Sequence, residues 1–118
     1  MPVLNGMNNG PYVPDRGDYI WIVLDPRVGH EQSGRRPAIV LSRRLFTERT
    51  GLAVVCPITS KVKGLPFEIR LKTTVMDGAI LPIHVRTVDV IAREARFIAK
   101  ASPVSLRRTV EAVEALIT

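Results

Sequence analysis

A helical repeat of apolar residues is confined to the C-terminal part of the chain. Four apolar residues recur there at steps of four, three and four, which places them on one face of an α-helix: Leu106, Val110, Val113 and Ile117. Ser102 or Ser105 is suited to cap this helix, and Pro103 fits its first turn. The preceding apolar runs are short and separated by turn-forming residues. Because a parallel α/β sheet needs helices between its strands, this order predicts a mainly β protein, a small antiparallel barrel followed by one C-terminal α-helix.

The strands of this barrel are predicted from runs rich in β-branched and aromatic residues. Such runs occur at residues 18–24, 37–41 and 52–58, while residues 67–71 alternate between apolar and polar side chains. Two further short strands are expected between residues 79 and 90, and a last one at residues 97–99. Residues 43–50 are expected to form one helical turn, and Asp77-Gly78 a tight turn.

The length of 118 residues predicts one domain, at residues 12–118, preceded by a flexible lead-in at residues 1–11. Hydrophobic residues make up 46% of the chain, but they never form the run of about 18 that a membrane span requires, so no membrane association is expected. The N-terminus has neither the basic start nor the apolar core of a signal peptide. The single Cys56 lies in an apolar run and is expected to pack as a small hydrophobe, which fits a reducing cytoplasm.

The charge of the chain favours polyanionic partners. Seventeen Lys and Arg residues against eleven Asp and Glu residues give a net charge of +6, and a positive surface attracts nucleic acid over long range. The same charge could instead serve only solubility. Charge alone therefore indicates a class of partner and no activity.

Several chemistries are disfavoured by the sequence. His30, His84 and Cys56 are the available nitrogen and sulfur ligands, and they show no zinc-type spacing, so neither a metal nor another cofactor is expected. No strand leads into the serine-hydrolase motif G-x-S-x-G or the phosphate-binding motif G-x-x-x-x-G-K-[ST]. Two polar loops remain as candidates, at residues 29–36 and 59–64.

These loops contain the groups that metal-free RNA cleavage requires. The ribose 2′-OH attacks the adjacent phosphate, so the protein must move protons and stabilise a doubly negative transition state. Arg36 can bind two phosphate oxygens, Thr59 can donate a hydrogen bond, and Glu31 can accept a proton. Each residue also has a structural interpretation. Arg36 could pair with an acid at a strand edge, Glu31 could form a salt bridge within its loop, and Thr59 could cap a turn.

An ordered series of short motifs resembles the MazF/PemK/Kid family of toxin endoribonucleases. The series consists of Gly17-Asp18-Tyr-Ile-Trp21, Asp25-Pro26, Gly29-x-Glu31-Gln32-x-Gly34-x-Arg36-Pro37, Pro57-Ile58-Thr59-Ser60, Lys63-Gly64-x-Pro66-Phe67-Glu68, Asp77-Gly78 and the terminal helix. It covers roughly residues 12–118, and the ordered set is far more specific than any one piece. The resemblance implies an SH3-like barrel, usually a homodimer, that cleaves single-stranded RNA without metal and leaves 2′,3′-cyclic phosphate and 5′-OH ends.

The resemblance also implies which residues act. The family's catalytic arginine, threonine and glutamate fall on Arg36, Thr59 and Glu31. Further RNA contacts are expected from seven residues along the family's substrate groove: Gln32, Arg35, Ser60, Lys61, Lys63, His84 and Arg86. Where many relatives have an Asp-Gln pair, this chain has Ile83-His84, so the base preferences of those relatives do not carry over.

The implied partners are single-stranded RNA and a cognate MazE-like antitoxin, whose acidic or apolar tail would cover the RNA groove. Two other functions stay open on the same fold. One is a gyrase-poisoning toxin, which on this fold depends on a C-terminal Trp-Gly-Ile tail, whereas this chain ends Ala115-Leu-Ile-Thr118. The other is a barrel that binds nucleic acid without cleaving it.

Overall fold

Seven strands and two α-helices occur in the described part of the chain, which comprises residues 12–23 and 34–118 of a computed structural model. In chain order they are β1 (Asp18–Val23), β2 (Arg35–Val40), α1 (Arg44–Thr50), β3 (Leu52–Thr59), β4 (Ile69–Lys72), β5 (Asp77–Ile80), a 3-10 turn (Pro82–His84), β6 (Arg86–Asp89), β7 (Arg96–Lys100) and α2 (Pro103–Ile117). No helix within the described ranges is long and apolar enough to cross a membrane.

The strands form one curled antiparallel sheet in the order β4-β5-β3-β2-β1-β7. The longest strand, β3, is central because it pairs with β2 along one side and with two strands along the other. On that second side its first half pairs with β6, from Leu52 to Val55, and its end pairs with β5, at Ile58 and Thr59. The predicted antiparallel barrel with a C-terminal helix is thereby confirmed.

The alternation of side chains along the central strands produces a core on each face of the sheet. One core contains Tyr19, Ile39, Cys56, Ile58 and Ile80, and α2 packs against it. The other lies on the opposite face and contains Ile20, Ile22, Ala38, Val40, Ala53, Val55, Val88 and Val90. Burial raises the pKa of the Cys56 thiol to about 12, so this residue packs as a small hydrophobe, as predicted.

Helix α2 begins as its sequence predicts and departs from the prediction in its last turn. The Ser102 hydroxyl caps the helix by accepting a hydrogen bond from the Ser105 backbone N–H at 3.1 Å, and Pro103 is the first helical residue. Leu106, Val110 and Val113 pack on the core. Ile117 continues the same helical face, but it is 81% exposed.

The predicted strand at residues 67–71 is partly wrong. Strand β4 begins at Ile69, and Phe67 has a positive φ of 66°, which no strand residue adopts. The cause is Glu68, whose carboxylate accepts hydrogen bonds from the backbone N–H groups of Gly64 at 3.0 Å and Leu65 at 3.4 Å. This local hydrogen bonding closes a loop and overrides the apolar–polar alternation.

Asp77-Gly78 was predicted as a turn, and this is also wrong, because both residues belong to β5. The turn lies before them, where the Thr73 hydroxyl accepts hydrogen bonds from the backbone N–H groups of Val75 and Met76 at 3.2 and 3.0 Å. Glycine is required at position 78 for space: a Cβ atom there would lie 2.1 Å from the carbonyl oxygen of Thr59. Gly78 thus permits β5 to approach β3 closely.

The entry into β1 is fixed by the buried carboxylate of Asp18. This group accepts hydrogen bonds from the Tyr12 hydroxyl, from the Asp15 backbone N–H at 3.0 Å and from Lys100 Nζ at 2.6 Å. Burial, followed by the hydrogen bond to Asp18, raises the pKa of Tyr12 above its usual range. Strands β1 and β7 are therefore held together by one polar cluster.

Candidate active site

The ends of three neighbouring strands, β2, β3 and β5, lie side by side in the sheet. Because β2 and β3 are antiparallel, the start of β2 lies beside the end of β3. Ala38 is opposite Pro57, and the same register continued by two residues places Arg36 opposite Thr59 on the same face. Strand β5 lies on the other side of β3, since Thr59 pairs with Ala79. The sheet thereby brings together two residues that are 23 positions apart in the sequence.

These strand ends surround an open depression of about 620 Å³, within the usual size range of a small-molecule or nucleotide site. Its described lining residues are Trp21, Arg35, Arg36, Pro37, Pro57, Ile58, Thr59, Ser60, Lys61, Met76, Asp77 and Leu81. They include three cationic side chains and one carboxylate. The depression is therefore suited to an anionic ligand that also has apolar surface.

Arg36 lies within β2, because that strand starts at Arg35, two residues before the predicted start at Pro37. Its side chain is exposed, and its Nη1 atom donates a hydrogen bond to the carbonyl oxygen of Arg35 at 3.0 Å. This contact links the guanidinium to the strand edge. The planar guanidinium matches the two oxygens of a phosphate better than an ammonium does.

Thr59 is the last residue of β3 and is half-buried. Its Oγ1 atom accepts a hydrogen bond from the Lys61 backbone N–H at 3.1 Å, so the turn-capping interpretation is correct as far as it goes. A hydroxyl also carries one donor hydrogen, which this contact does not use. The cap fixes the position of Oγ1 and is therefore compatible with donation to a ligand.

Trp21 is a lining residue that the sequence interpretation missed. It lies opposite Pro37 in the β1–β2 pair, and it is 37% exposed in a strand whose other residues are all buried. An exposed indole beside cationic side chains is suited to stacking on a nucleobase. No signal of this exposure is present in the sequence, because Tyr19 and Val23, which lie on the same face of β1 as Trp21, are buried and the strand is one apolar run.

The other predicted site residues fall into three groups. Ser60 and Lys61 line the depression beside Arg35. Lys63, His84 and Arg86 are exposed but lie outside the lining, and Arg86 pairs with Val55, about 13 Å along β3 from Thr59. Glu31 and Gln32 lie outside the described residues. In the ranges 12–23 and 34–118, no three His, Cys, Asp or Glu side chains are grouped as metal ligands.

Comparison with known proteins identifies the family of the chain. A sequence profile described as "PemK-like, MazF-like toxin of type II toxin-antitoxin system" matches residues 15–117. The endoribonuclease toxin MazF of Escherichia coli K12 is 39% identical over 106 residues, which cover 90% of this chain and 96% of that protein.

Solved structures agree with this match. MazF from Deinococcus radiodurans superposes with a TM-score of 0.81 at 40% identity, covering 91% of this chain and 98% of that one. The MazF subunit of a MazE–MazF complex from the same organism gives a TM-score of 0.80 at 35% identity, covering 91% of this chain and 97% of that one.

The fold, the depression and these matches define a toxin of the type II toxin–antitoxin class. Within that class, the chain belongs to the PemK/MazF family. The family resemblance of the sequence is thus confirmed over nearly the whole chain.

Proposed function

We propose that the chain cleaves single-stranded RNA at the depression between β2, β3 and β5, with Arg36, Thr59 and Glu31 as its catalytic residues. It is a MazF-like endoribonuclease toxin of a toxin–antitoxin system, as its family and its named relatives indicate. The observation that supports the assignment of the site is the placement of Arg36 and Thr59 on facing strand ends in one cation-lined depression.

The residues can divide the reaction between them. The O2′–P bond forms while the P–O5′ bond breaks, so O2′ loses a proton and O5′ gains one. Arg36 binds the non-bridging oxygens and stabilises their growing charge, since an arginine remains protonated and is a poor base. Thr59 donates a hydrogen bond to the same phosphate. Glu31 accepts the 2′-OH proton, and the O5′ leaving group takes its proton from water.

RNA recognition is proposed to use the rest of the depression. Arg35 and Lys61 lie beside Arg36 and Ser60, where they attract the phosphates on either side of the scissile bond. Trp21 provides a stacking surface for one base. Lys63, His84 and Arg86, which are exposed beyond the lining, would contact flanking nucleotides, and Gln32 is proposed as a further RNA contact.

The partners follow from the family. The MazE–MazF complexes of Deinococcus radiodurans contain a toxin of this fold bound to its antitoxin. We infer that a MazE-like antitoxin neutralises this chain by covering the same basic depression. We also infer a homodimer, because the exposed Ile83, Leu116 and Ile117 lie on α2 and on the 3-10 turn that α2 contacts. The cytoplasm, where RNA and antitoxin are present, is the proposed location.

The first test is cleavage of a long mixed-sequence RNA in EDTA by purified wild-type protein and by Arg36→Ala. New 5′ ends are mapped and their 5′-OH chemistry is determined. Arg49→Ala is the matched control, because Arg49 is exposed in the last turn of α1 and is not a lining residue. We expect discrete 5′-OH ends from the wild type and from Arg49→Ala, and loss of cleavage in Arg36→Ala with its fold retained. Undiminished cleavage by Arg36→Ala would refute the assignment of the site, and inactivity of the wild type would refute the activity.

A further inference from the structure

One carboxylate lies among the cations of the depression. Asp77 is the first residue of β5, and it lines the same depression as Arg35, Arg36 and Lys61. Its side chain is 62% exposed. A negative charge at this place repels the phosphates that the three cations attract, so binding of the RNA backbone does not account for it.

Asp77 is held in place by Arg70 of the neighbouring strand β4. Arg70 Nη1 lies 2.7 Å from Asp77 Oδ1, and it also donates hydrogen bonds to the backbone carbonyl oxygens of Gly78 at 2.7 Å and Leu71 at 3.1 Å. The two carbonyls fix the guanidinium, and the guanidinium in turn orients the carboxylate. Because both side chains are about half exposed, the ion pair contributes little to the stability of the fold. Its effect is to orient the Asp77 carboxylate.

An oriented carboxylate in the same depression as an exposed indole can recognise the polar edge of a nucleobase. A carboxylate only accepts hydrogen bonds, so it favours bases that present an exocyclic amino group, namely adenine, cytosine and guanine. Uracil presents carbonyl oxygens at the corresponding positions and has only its N3–H as a donor on that edge, so it is disfavoured. In single-stranded RNA these edges are accessible while the base stacks on an aromatic side chain, and Trp21 lies in the same depression.

We propose that Asp77 is a base-recognition residue of this enzyme, which accepts a hydrogen bond from the exocyclic amino group of one nucleotide near the scissile phosphate and thereby selects against uracil at that position. The inference rests on the proposed RNA cleavage at this depression and adds a specificity determinant to it. Arg70 is a positioning residue, since it acts on the base only through Asp77.

The test uses short RNAs built on a cleaved sequence found by 5′-end mapping. Each base that bears an amino group is replaced, one position at a time, by an analogue without that group: purine riboside for adenosine, inosine for guanosine and zebularine for cytidine. Single-turnover cleavage is measured for the wild type, Asp77→Ala, Asp77→Asn and the control Glu111→Gln, which removes a carboxylate from the exposed face of α2.

We expect one position at which loss of the amino group slows the wild type and Glu111→Gln by about 10- to 100-fold, the discrimination typical of one good base contact. Asp77→Ala should lose this preference at that position alone and should also cleave the uracil-substituted RNA. Asp77→Asn, which keeps an uncharged acceptor, should show a smaller preference.

Three results would overturn the proposal. They are no amino-group dependence of the wild type at any position, a preference that persists in Asp77→Ala, and an effect of Asp77→Ala that slows or speeds cleavage of all RNAs by the same factor. The last result would assign Asp77 to general electrostatics. A wild type that binds but cleaves no RNA would instead refute the proposed activity together with this inference. If Asp77→Ala failed to fold, Asp77→Asn would provide the same comparison with nearly unchanged shape.

Discussion

Gly78→Ala is expected to damage both stability and activity, because it forces β5 away from Thr59. The added Cβ would lie 2.1 Å from the Thr59 carbonyl oxygen and 3.0 Å from its carbonyl carbon. The strands must separate by 0.9 Å for the contact with the oxygen to reach even 3.0 Å, and both clashing atoms belong to the backbone, which cannot rotate away.

The size of the effect follows from what this separation costs. Overpacking of this kind costs about 1 to 3 kcal/mol, and each weakened hydrogen bond between β3 and β5 adds about 1 kcal/mol. A loss of about 3 kcal/mol in the free energy of unfolding corresponds to a fall of roughly 10 °C in Tm for a chain of this size. Because a displacement of about 1 Å in a catalytic group can cost about 100-fold in rate, the single-turnover rate should fall by about that factor.

Thermal unfolding by circular dichroism and single-turnover cleavage well below the Tm would measure these two effects. Gly51→Ala is the matched control: Gly51 ends α1 with a positive φ of 75°, away from the depression. This control should lose about 1 kcal/mol and keep its cleavage rate. If Gly78→Ala had the Tm and the rate of the wild type, the argument that glycine is needed here for close strand approach would be wrong.

Two further substitutions test other parts of the structure. Thr59→Ala should slow single-turnover cleavage by about 10- to 1000-fold, because it removes one donor to the phosphate, and an unchanged rate would leave Thr59 with its turn-capping role alone. Cys56→Ala should change how the stability of the fold depends on alkaline pH. Because burial raises the thiol pKa to about 12, the unfolded chain loses the thiol proton at a lower pH than the folded chain does. The stabilising contribution of the thiol is therefore complete below about pH 9 and declines up to about pH 12, by roughly 1.4 kcal/mol per pH unit. Urea denaturation between pH 8 and 11 should therefore show a shallower decline for Cys56→Ala than for the wild type, and parallel curves would contradict the assigned cause.

The sequence predicts best those elements whose signal is local. Strands β1 and β3 are continuous apolar runs, and α2 has a clear helical repeat with its cap at Ser102, so their existence and type follow from periodicity alone. The same reasoning wrongly placed Phe67 in a strand, because hydrogen bonds from backbone N–H groups to the Glu68 carboxylate close a loop there. Local competition of this kind is not visible in a pattern of apolar and polar residues.

The errors at the site have a long-range origin. Asp77-Gly78 has the composition of a turn, and the reason for its glycine is the carbonyl group of Thr59, which lies 19 residues earlier in the sequence. Arg36 and Thr59 could be selected from their chemistry and from the family resemblance, but their facing positions depend on the register of β2 and β3. Trp21 and Asp77 were missed because neither belongs to a polar loop.

The cluster around Asp18 has a consequence for the order in which the molecule can fold. The contact between Asp18 and Lys100 joins residues 82 positions apart, and α2, which covers one core, follows β7 in the chain. Contacts of such long sequence separation form slowly, because a large loop must close before they contribute. During synthesis, the start of β1 therefore waits for its partner until the last fifth of the protein has been made. The polar cluster and the cover that α2 gives to one core are consequently completed only once residues 100–117 have been made.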